Sequence, residues 1–229
     1  MDRTIHIIIP CYNMERYVGE TIASVQRQNS GGWDCIIVDD GSTDRSAEII
    51  DSMTEGDARF RVLHQPNQGV AAARNRAIEE AGGGFILPLD ADDRLMPYAM
   101  GRFAVEWKRN PSASLLVPQI RRFGEGIVPH VQERHWRGYD DLKYHCSPTN
   151  SSCYRYSDWK RVGGYASWSQ YEDWEFWLRL LYKNAKVVNI PAVLVEYRIR
   201  AGSRFQTAVK DHMQEVELIR KHNPEIYNL

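Results

Sequence analysis

The chain has 229 residues, 43% of them hydrophobic and 26% charged, a make-up that excludes disordered, fibrous and polytopic membrane classes and suits one large α/β domain, or one with an appended subdomain. A formal net charge of −1 gives no general attraction to nucleic acid. No apolar run approaches the about 20 residues that span a bilayer.

The four cysteines, Cys11, Cys35, Cys146 and Cys153, form neither a dense disulfide framework nor a CxxC metal pair, so reduced thiols in a cytoplasmic setting are expected. The start of the chain, Met1-Asp2-Arg3-Thr4 and then a short apolar strand, does not read as a signal peptide.

In chain order, short β-branched runs recur at Ile5–Ile9, Cys35–Val38, Arg61–Leu63, Phe85–Leu89 and Leu115–Val117, each bounded by turn-forming residues and too short for a helix. Helical patterns lie between them. Val18, Ile22 and Val25 form one apolar stripe on a helix from about Glu15 to Gln28. Ala47, Ile50 and Met53 stripe a second, expected to be capped by Ser42 or Thr43. Val70 to Ala81 is alanine-rich and helix-favouring. Met100, Phe103 and Trp107 stripe a helix entered at Pro97. Such alternation predicts a mostly parallel sheet with helices on both faces, and ligands at the carboxyl ends of its strands.

The second half changes character. Five of the seven tryptophans follow residue 130, and the stretch 119–171 reads as irregular, either a lid facing a second substrate or ordinary aromatic core. A helix is expected from Glu172 to Lys183, strands near Lys186–Asn189 and Val193–Arg198, and a last helix from about Gln206 to His222.

Polar motifs stand at the strand exits. Asp90-Ala91-Asp92-Asp93 places three carboxylates where unpaired burial is costly, so a divalent cation or a set of donors is needed there. Carboxylate oxygens suit Mg²⁺ or Mn²⁺ shared with substrate phosphates. An EF-hand needs Glu twelve positions after its start, and Gly101 stands there. Asp39 and Asp40 exceed what helix capping requires; a carboxylate there could accept an imide N–H or a ribose hydroxyl. Asn67-Gln68-Gly69 turns into a helix bearing Arg74, which could reach a phosphate or a base. Glu172 and Asp173 open a helix beside tryptophans, a setting for a partly desolvated base. Arg198, Arg200 and Arg204 follow a strand and could clamp a diphosphate.

Together, Pro10-Cys11-Tyr12-Asn13, Asp39 to Asp44, Asn67 to Asn75, Asp90 to Asp93, Glu172-Asp173 with Trp177-Leu178-Arg179, and Tyr197 to Ser203 resemble the family 2 glycosyltransferases over roughly residues 4–205. The resemblance implies the GT-A fold and inverting transfer from a nucleotide-sugar, usually a UDP-sugar, to a glycan, lipid-linked or protein acceptor. It implies a donor-binding half at 1–118 and an acceptor and catalytic-base half at 119–229, with cytoplasmic or inner-membrane-face location. Carried over, Pro10 and Tyr12 line the nucleoside pocket, and Asp40, or Asp39, holds the base. Asn67, Gly69 and Arg74 serve the base or diphosphate, and Asp90 with Ala91 meets the ribose or donor sugar. Asp92, with Asp93 as rival, ligates Mn²⁺ or Mg²⁺. Arg198, Arg200 and Ser203 address the diphosphate. Asp173 is the base, oriented by Glu172. One departure matters: many relatives carry histidine where this chain has Arg200, and a guanidinium cannot ligate a cation. Two other classes remain: a nucleotidyltransferase, against which stands the lack of a GxGxR loop near the N-terminus, and a non-catalytic nucleotide-sugar-binding domain.

Overall fold

The computed structural model describes residues 4–133, 136–183, 185–200 and 212–227. Its strands are β1 (Ile5–Cys11), β2 (Trp33–Asp39), β3 (Phe60–His64), β4 (Phe85–Pro88), β5 (Arg94–Leu95), β6 (Leu115–Gly124), β7 (His130–Gln132), β8 (Cys153–Arg155) and β9 (Val187–Ile199). The helices are α1 (Val18–Gln26), α2 (Ser46–Thr54), α3 (Val70–Ala81), α4 (Ala99–Arg109), α5 (Tyr139–Leu142), α6 (Tyr156–Val162), α7 (Glu172–Leu181), α8 (His212–His222) and α9 (Pro224–Tyr227). Among the described residues, no helix is long and apolar enough to cross a membrane.

The strands form one sheet in the order β3-β2-β1-β4-β8-β6-β9-β5, with β7 on β6. β1 pairs in parallel with β2 and β4, β2 with β3, and β6 with β9. β8 is antiparallel to both β4 and β6, so the latter two run the same way. The sheet is therefore mostly parallel, as the alternation predicts, and strands from both halves of the chain share it.

Parallel strands buried on both faces need side chains that are apolar on both. Ile5, Ile7 and Ile9 of β1 pack on one face with Val18, Ile22 and Phe103. Ile8, Ile36, Val38 and Ile86 pack on the other with Ala71, Ala77 and Trp177. Trp159, Trp174 and Trp177 are buried here, so most of the late tryptophans are packing. Within 119–171 the chain forms β7, α5, β8 and α6 between long loops.

Two expectations are corrected. α2 starts at Ser46, after Arg45, not behind a cap at Ser42 or Thr43. Those two instead meet the loop after β1: Asn13 donates its backbone N–H to Ser42 Oγ at 3.0 Å, and Thr43 donates its own to Asn13 Oδ1 at 2.8 Å. Asp44 Oδ1 receives the Ser46 N–H at 2.9 Å, taking over the work of the cap. The expected strands near Lys186–Asn189 and Val193–Arg198 are one strand, β9, whose register against β6 breaks between Pro118 and Gln119 and again before Ile120. Pro191 lacks the N–H that a regular ladder needs, which fits a break at this point.

Gly41 lets two strand exits meet. Its φ is +74°, and a Cβ there would lie 2.8 Å from the Asn67 nitrogen and 3.1 Å from the Gln65 oxygen. Gly41→Ala is expected to cost about 1–3 kcal/mol from strain and displacement of the 65–69 loop. Gly31 has neither a positive φ nor a near neighbour, so Gly31→Ala serves as the control and leaves the urea midpoint unchanged or slightly raised. Equal midpoints for the two variants would refute the reading.

Candidate active site

Three strand exits lie side by side because β2, β1 and β4 are neighbours in the sheet. After β1, Pro10 is buried opposite Val38, while Tyr12 is 44% exposed. After β2, Asp39 and Asp40 are both buried. Asp40 Oδ1 accepts from Gln65 Nε2 at 2.6 Å and the Gln68 N–H at 2.9 Å, and Oδ2 accepts the Gly69 N–H at 2.8 Å. An ionised carboxylate offers about four acceptor positions, so one remains on Oδ2 for an incoming N–H. Asp40 thereby holds the Asn67-Gln68-Gly69 turn against the start of α3. Asp39 accepts the Ser42 N–H at 3.2 Å and lies 3.3 Å from His64 Nδ1.

Arg74 on α3 is not turned out toward a nucleotide. It is 2% exposed, with Nη1 2.7 Å from Glu172 Oε1 and Nη2 2.7 Å from Asp90 Oδ1. Burial disfavours its charge, but Asp90 and Glu172 outweigh burial and hold it protonated. The same guanidinium stands 5.5 Å from the Tyr165 ring centre. One side chain thus ties the β4 exit to the first turn of α7. Arg74 as a direct ligand of base or phosphate is therefore replaced by Arg74 as a buried organiser.

Asp173 follows Glu172 in that first turn and is half-buried. Among the described residues it has no ion pair, and it accepts the Trp174 N–H at 2.8 Å. Burial, then the charge of Glu172, push its carboxyl up to about 6, against the pull of Arg74. Its neighbour with the guanidinium and itself without one form a pair whose environments separate their roles.

Asp92 and Asp93 part company as well. Asp93 is buried, and its Oδ1 accepts the Arg198 N–H at 2.8 Å. Burial, then Asp92 and Asp90, raise its carboxyl well above the usual range. Thr21 Oγ1 lies within reach of the carbonyl oxygens of Ala91 and Asp93, at 2.9 and 2.8 Å, so Ala91 contributes backbone to a strap on α1. Asp92 is half-buried and pairs through Oδ2 with Arg200 Nε at 2.6 Å. Arg198 donates from Nε to the Asp92 carbonyl and from Nη2 to Glu20, each at 2.7 Å. Ser203 lies outside the described residues.

Tyr197 records the convergence. Burial and then the charges of Asp93, Asp90, Asp92 and Asp173 raise its phenol, so the carboxylates of the β4 exit and of α7 act electrostatically on one side chain. Two contributors carry no motif in the sequence. Asn150, in the loop before β8, donates Nδ2 to Asp90 Oδ1 at 3.0 Å while its buried Oδ1 has no partner among the described residues. Glu20 on α1 bridges Arg198 and Arg94.

The donor set does not fit a cation held by the protein alone. Asp92 already faces a guanidinium, Asp93 is turned to backbone, and Asp90 is shared by Arg74 and Asn150. Among the described residues, no three His, Cys, Asp or Glu side chains are grouped to hold a metal. Like unit charges 4 Å apart repel by about 4 kcal/mol at an effective dielectric of 20, and a divalent ion doubles that. A cation ligated by Asp92 would have to overcome Arg200.

A family model described as Glycosyl transferase family 2 matches residues 6–161. An uncharacterized glycosyltransferase of Bacillus subtilis, EpsJ, is 40% identical over 106 residues, covering 46% of this chain and 31% of that protein. The putative teichuronic acid biosynthesis glycosyltransferase TuaG of the same organism is 40% identical over 91 residues, covering 39% of this chain and 36% of that one. The matched segment thus spans about a third of these relatives. Among solved structures, S. aureus TarS 1–349 in complex with UDP-GlcNAc superposes with a TM-score of 0.77 at 20% identity, covering 90% of this chain and 61% of that one. The mannosyltransferase PcManGT from Pyrobaculum calidifontis, in complex with GDP-Man and Mn²⁺, gives 0.71 at 16% identity, covering 96% and 65%. At such identities the likeness is one of fold, the GT-A type of α/β sheet.

Replacing Arg74 with methionine keeps the stem but takes away the guanidinium that Asp90 and Glu172 share. Breaking a buried pair from one side costs about 3–5 kcal/mol, so urea denaturation of Arg74→Met is expected to show a loss of that size. A loss below about 1 kcal/mol, the range of exposed pairs, would contradict the bridging role.

Proposed function

This chain belongs to glycosyl transferase family 2, and on that premise we propose that it moves a sugar from a nucleoside-diphosphate sugar, UDP-linked in the first instance, to an acceptor hydroxyl with inversion at the anomeric carbon. The acceptor is a growing polysaccharide or glycoconjugate; the name of TuaG supports that class. The UDP-GlcNAc and GDP-Man complexes of the fold relatives support a nucleotide-sugar donor. Residues 1–118 hold the nucleoside and sugar side of the donor, and 119–229 bring the base, meet the acceptor and add the arginines that address the diphosphate.

The observation that carries the reading is Asp173: a carboxylate with proton affinity raised to about 6, without an ion pair among the described residues, beside an acid cluster organised by Arg74. Inversion by direct displacement needs one group to take the acceptor's proton while the hydroxyl oxygen bonds to the anomeric carbon and the diphosphate leaves. A general base works best with a pKa near the operating pH. Glu172 is held by Arg74, which keeps the first turn of α7 in place and leaves the proton to Asp173. The spare acceptor position on Asp40 suits the imide N–H of a uracil, with Tyr12 exposed nearby on the β1 exit.

A thermal-shift panel of UDP- and GDP-sugars tests the donor class: a UDP-sugar is expected to raise the melting temperature most, and no response to any of them would remove the donor reading. Asp173→Asn is expected to lower the rate of nucleoside diphosphate release by about 10²–10⁴ with donor affinity preserved; substantial remaining turnover would reassign the base. The base must be ionised to work. Activity of the parent should therefore rise with pH through about 6, fall tenfold per unit below it, and level off above. A pH profile flat from 5 to 8 would exclude Asp173 as the titrating base.

A further inference from the structure

We propose that Arg200 supplies the positive charge that grips the donor's diphosphate, so that this chain binds its donor without a divalent cation; the inference rests on the nucleotide-sugar reading above. The argument begins with which guanidinium has donors to spare. A guanidinium carries five N–H donors in a planar fork. Arg198 has committed Nε to the Asp92 carbonyl and Nη2 to Glu20. Among the described residues, Arg200 has committed to a strong acceptor only Nε, to Asp92 Oδ2 at 2.6 Å. Its Nη2 rests 3.5 Å from the Met14 sulfur, a thioether and thus a weak acceptor that a phosphate oxygen readily displaces.

Position makes that spare capacity relevant. Asp92 follows β4 and Met14 follows β1, and these strands are neighbours. Arg200 therefore spans the gap between two strand exits, between the nucleoside side of the cleft and the Asp90 side. Its side chain is 17% exposed, enough to reach a ligand without being free in water. The Tyr17 ring backs both arginines, with its centre 5.0 Å from Arg198 and 5.5 Å from Arg200. The ion pair with Asp92 fixes the plane of the fork, and a fixed fork loses less freedom on meeting two phosphate oxygens. Asp92 is in this view a positioning residue, with the guanidinium taking the place of a cation.

Isothermal titration of UDP and of GDP, each in EDTA and in Mn²⁺, tests this on the parent chain before any substitution. The dissociation constant of the better nucleotide in EDTA is expected to stay within about threefold of that in Mn²⁺, a small difference on the affinity scale. Arg200→Gln is expected to weaken binding at least about tenfold in EDTA, and Arg200→His to bind only when Mn²⁺ is added, since imidazole and the freed Asp92 form a ligand pair. Parent binding that is lost in EDTA and restored by Mn²⁺ would overturn the proposal, as would undiminished binding by Arg200→Gln. Failure of both nucleotides under both conditions would sink the donor reading itself and this inference with it, a pattern distinct from rescue by Mn²⁺.

Discussion

The buried guanidinium of Arg74 is the joint on which the site depends. Three elements far apart in sequence, α3, the β4 exit and the start of α7, reach their relative positions through two 2.7 Å contacts from one side chain. Glu172 is not stable at this depth without a counter-charge, and the guanidinium is not stable without Glu172 and the half-buried Asp90. The set is mutually required, which makes it a poor source of net stability and a strong source of geometry. Asp173 inherits its place from that geometry, because it is the next residue on the helix that Glu172 anchors.

The acids of the cleft are sorted by what each already holds. Asp40 holds a turn, Asp93 a strand end, Glu172 and Asp90 the Arg74 fork, and Asp92 the Arg200 fork. Asp173 holds one backbone N–H and, among the described residues, no cation. Identical chemistry, then, gives different functions through partners alone. Burial is the first cause that raises the carboxyls of Asp92, Asp93 and Asp173 alike, but Asp92 and Asp93 are engaged by the end of β9, which leaves Asp173 for the acceptor.

Much of the fold was legible in the residues. Short β-branched runs such as Ile5–Ile9, interrupted only by His6, read as strands buried on both faces, and the 3.6-residue stripes between them as crossover helices, so the parallel sheet followed. The motifs at Pro10, Asp39 and Asp90 were legible as neighbours because strand exits in such a sheet face the same way, whereas Asp173 opens a helix and only the family resemblance drew it to them. What stayed hidden were the partners. Arg74 is an arginine in an alanine-rich helix, and nothing local says whether it faces solvent, phosphate or two acids 16 and 98 residues away. Asn150 lies in a polar loop with no periodicity, and only the pairing of β8 beside β4 brings it to Asp90. The cap of α2 was misplaced for a related reason: Ser42 and Thr43 have good capping chemistry, but Asn13, 29 and 30 residues earlier, competes for both.

The pairing of Asp92 with Arg200 bears on why a strand should end in two adjacent carboxylates. Asp93 points inward and binds the backbone of Arg198. Asp92, one residue on the other side of the turn, binds the side chain of Arg200. The doubled acid thus grips the end of β9 at two points two residues apart, once by main chain and once by guanidinium. Through that grip, the end of β9 is brought to the exits of β1 and β4, where the leaving diphosphate has to be met. A single carboxylate could fix the strand or aim the arginine, but it could not do both from one rotamer, and the repetition is the physical solution to that conflict.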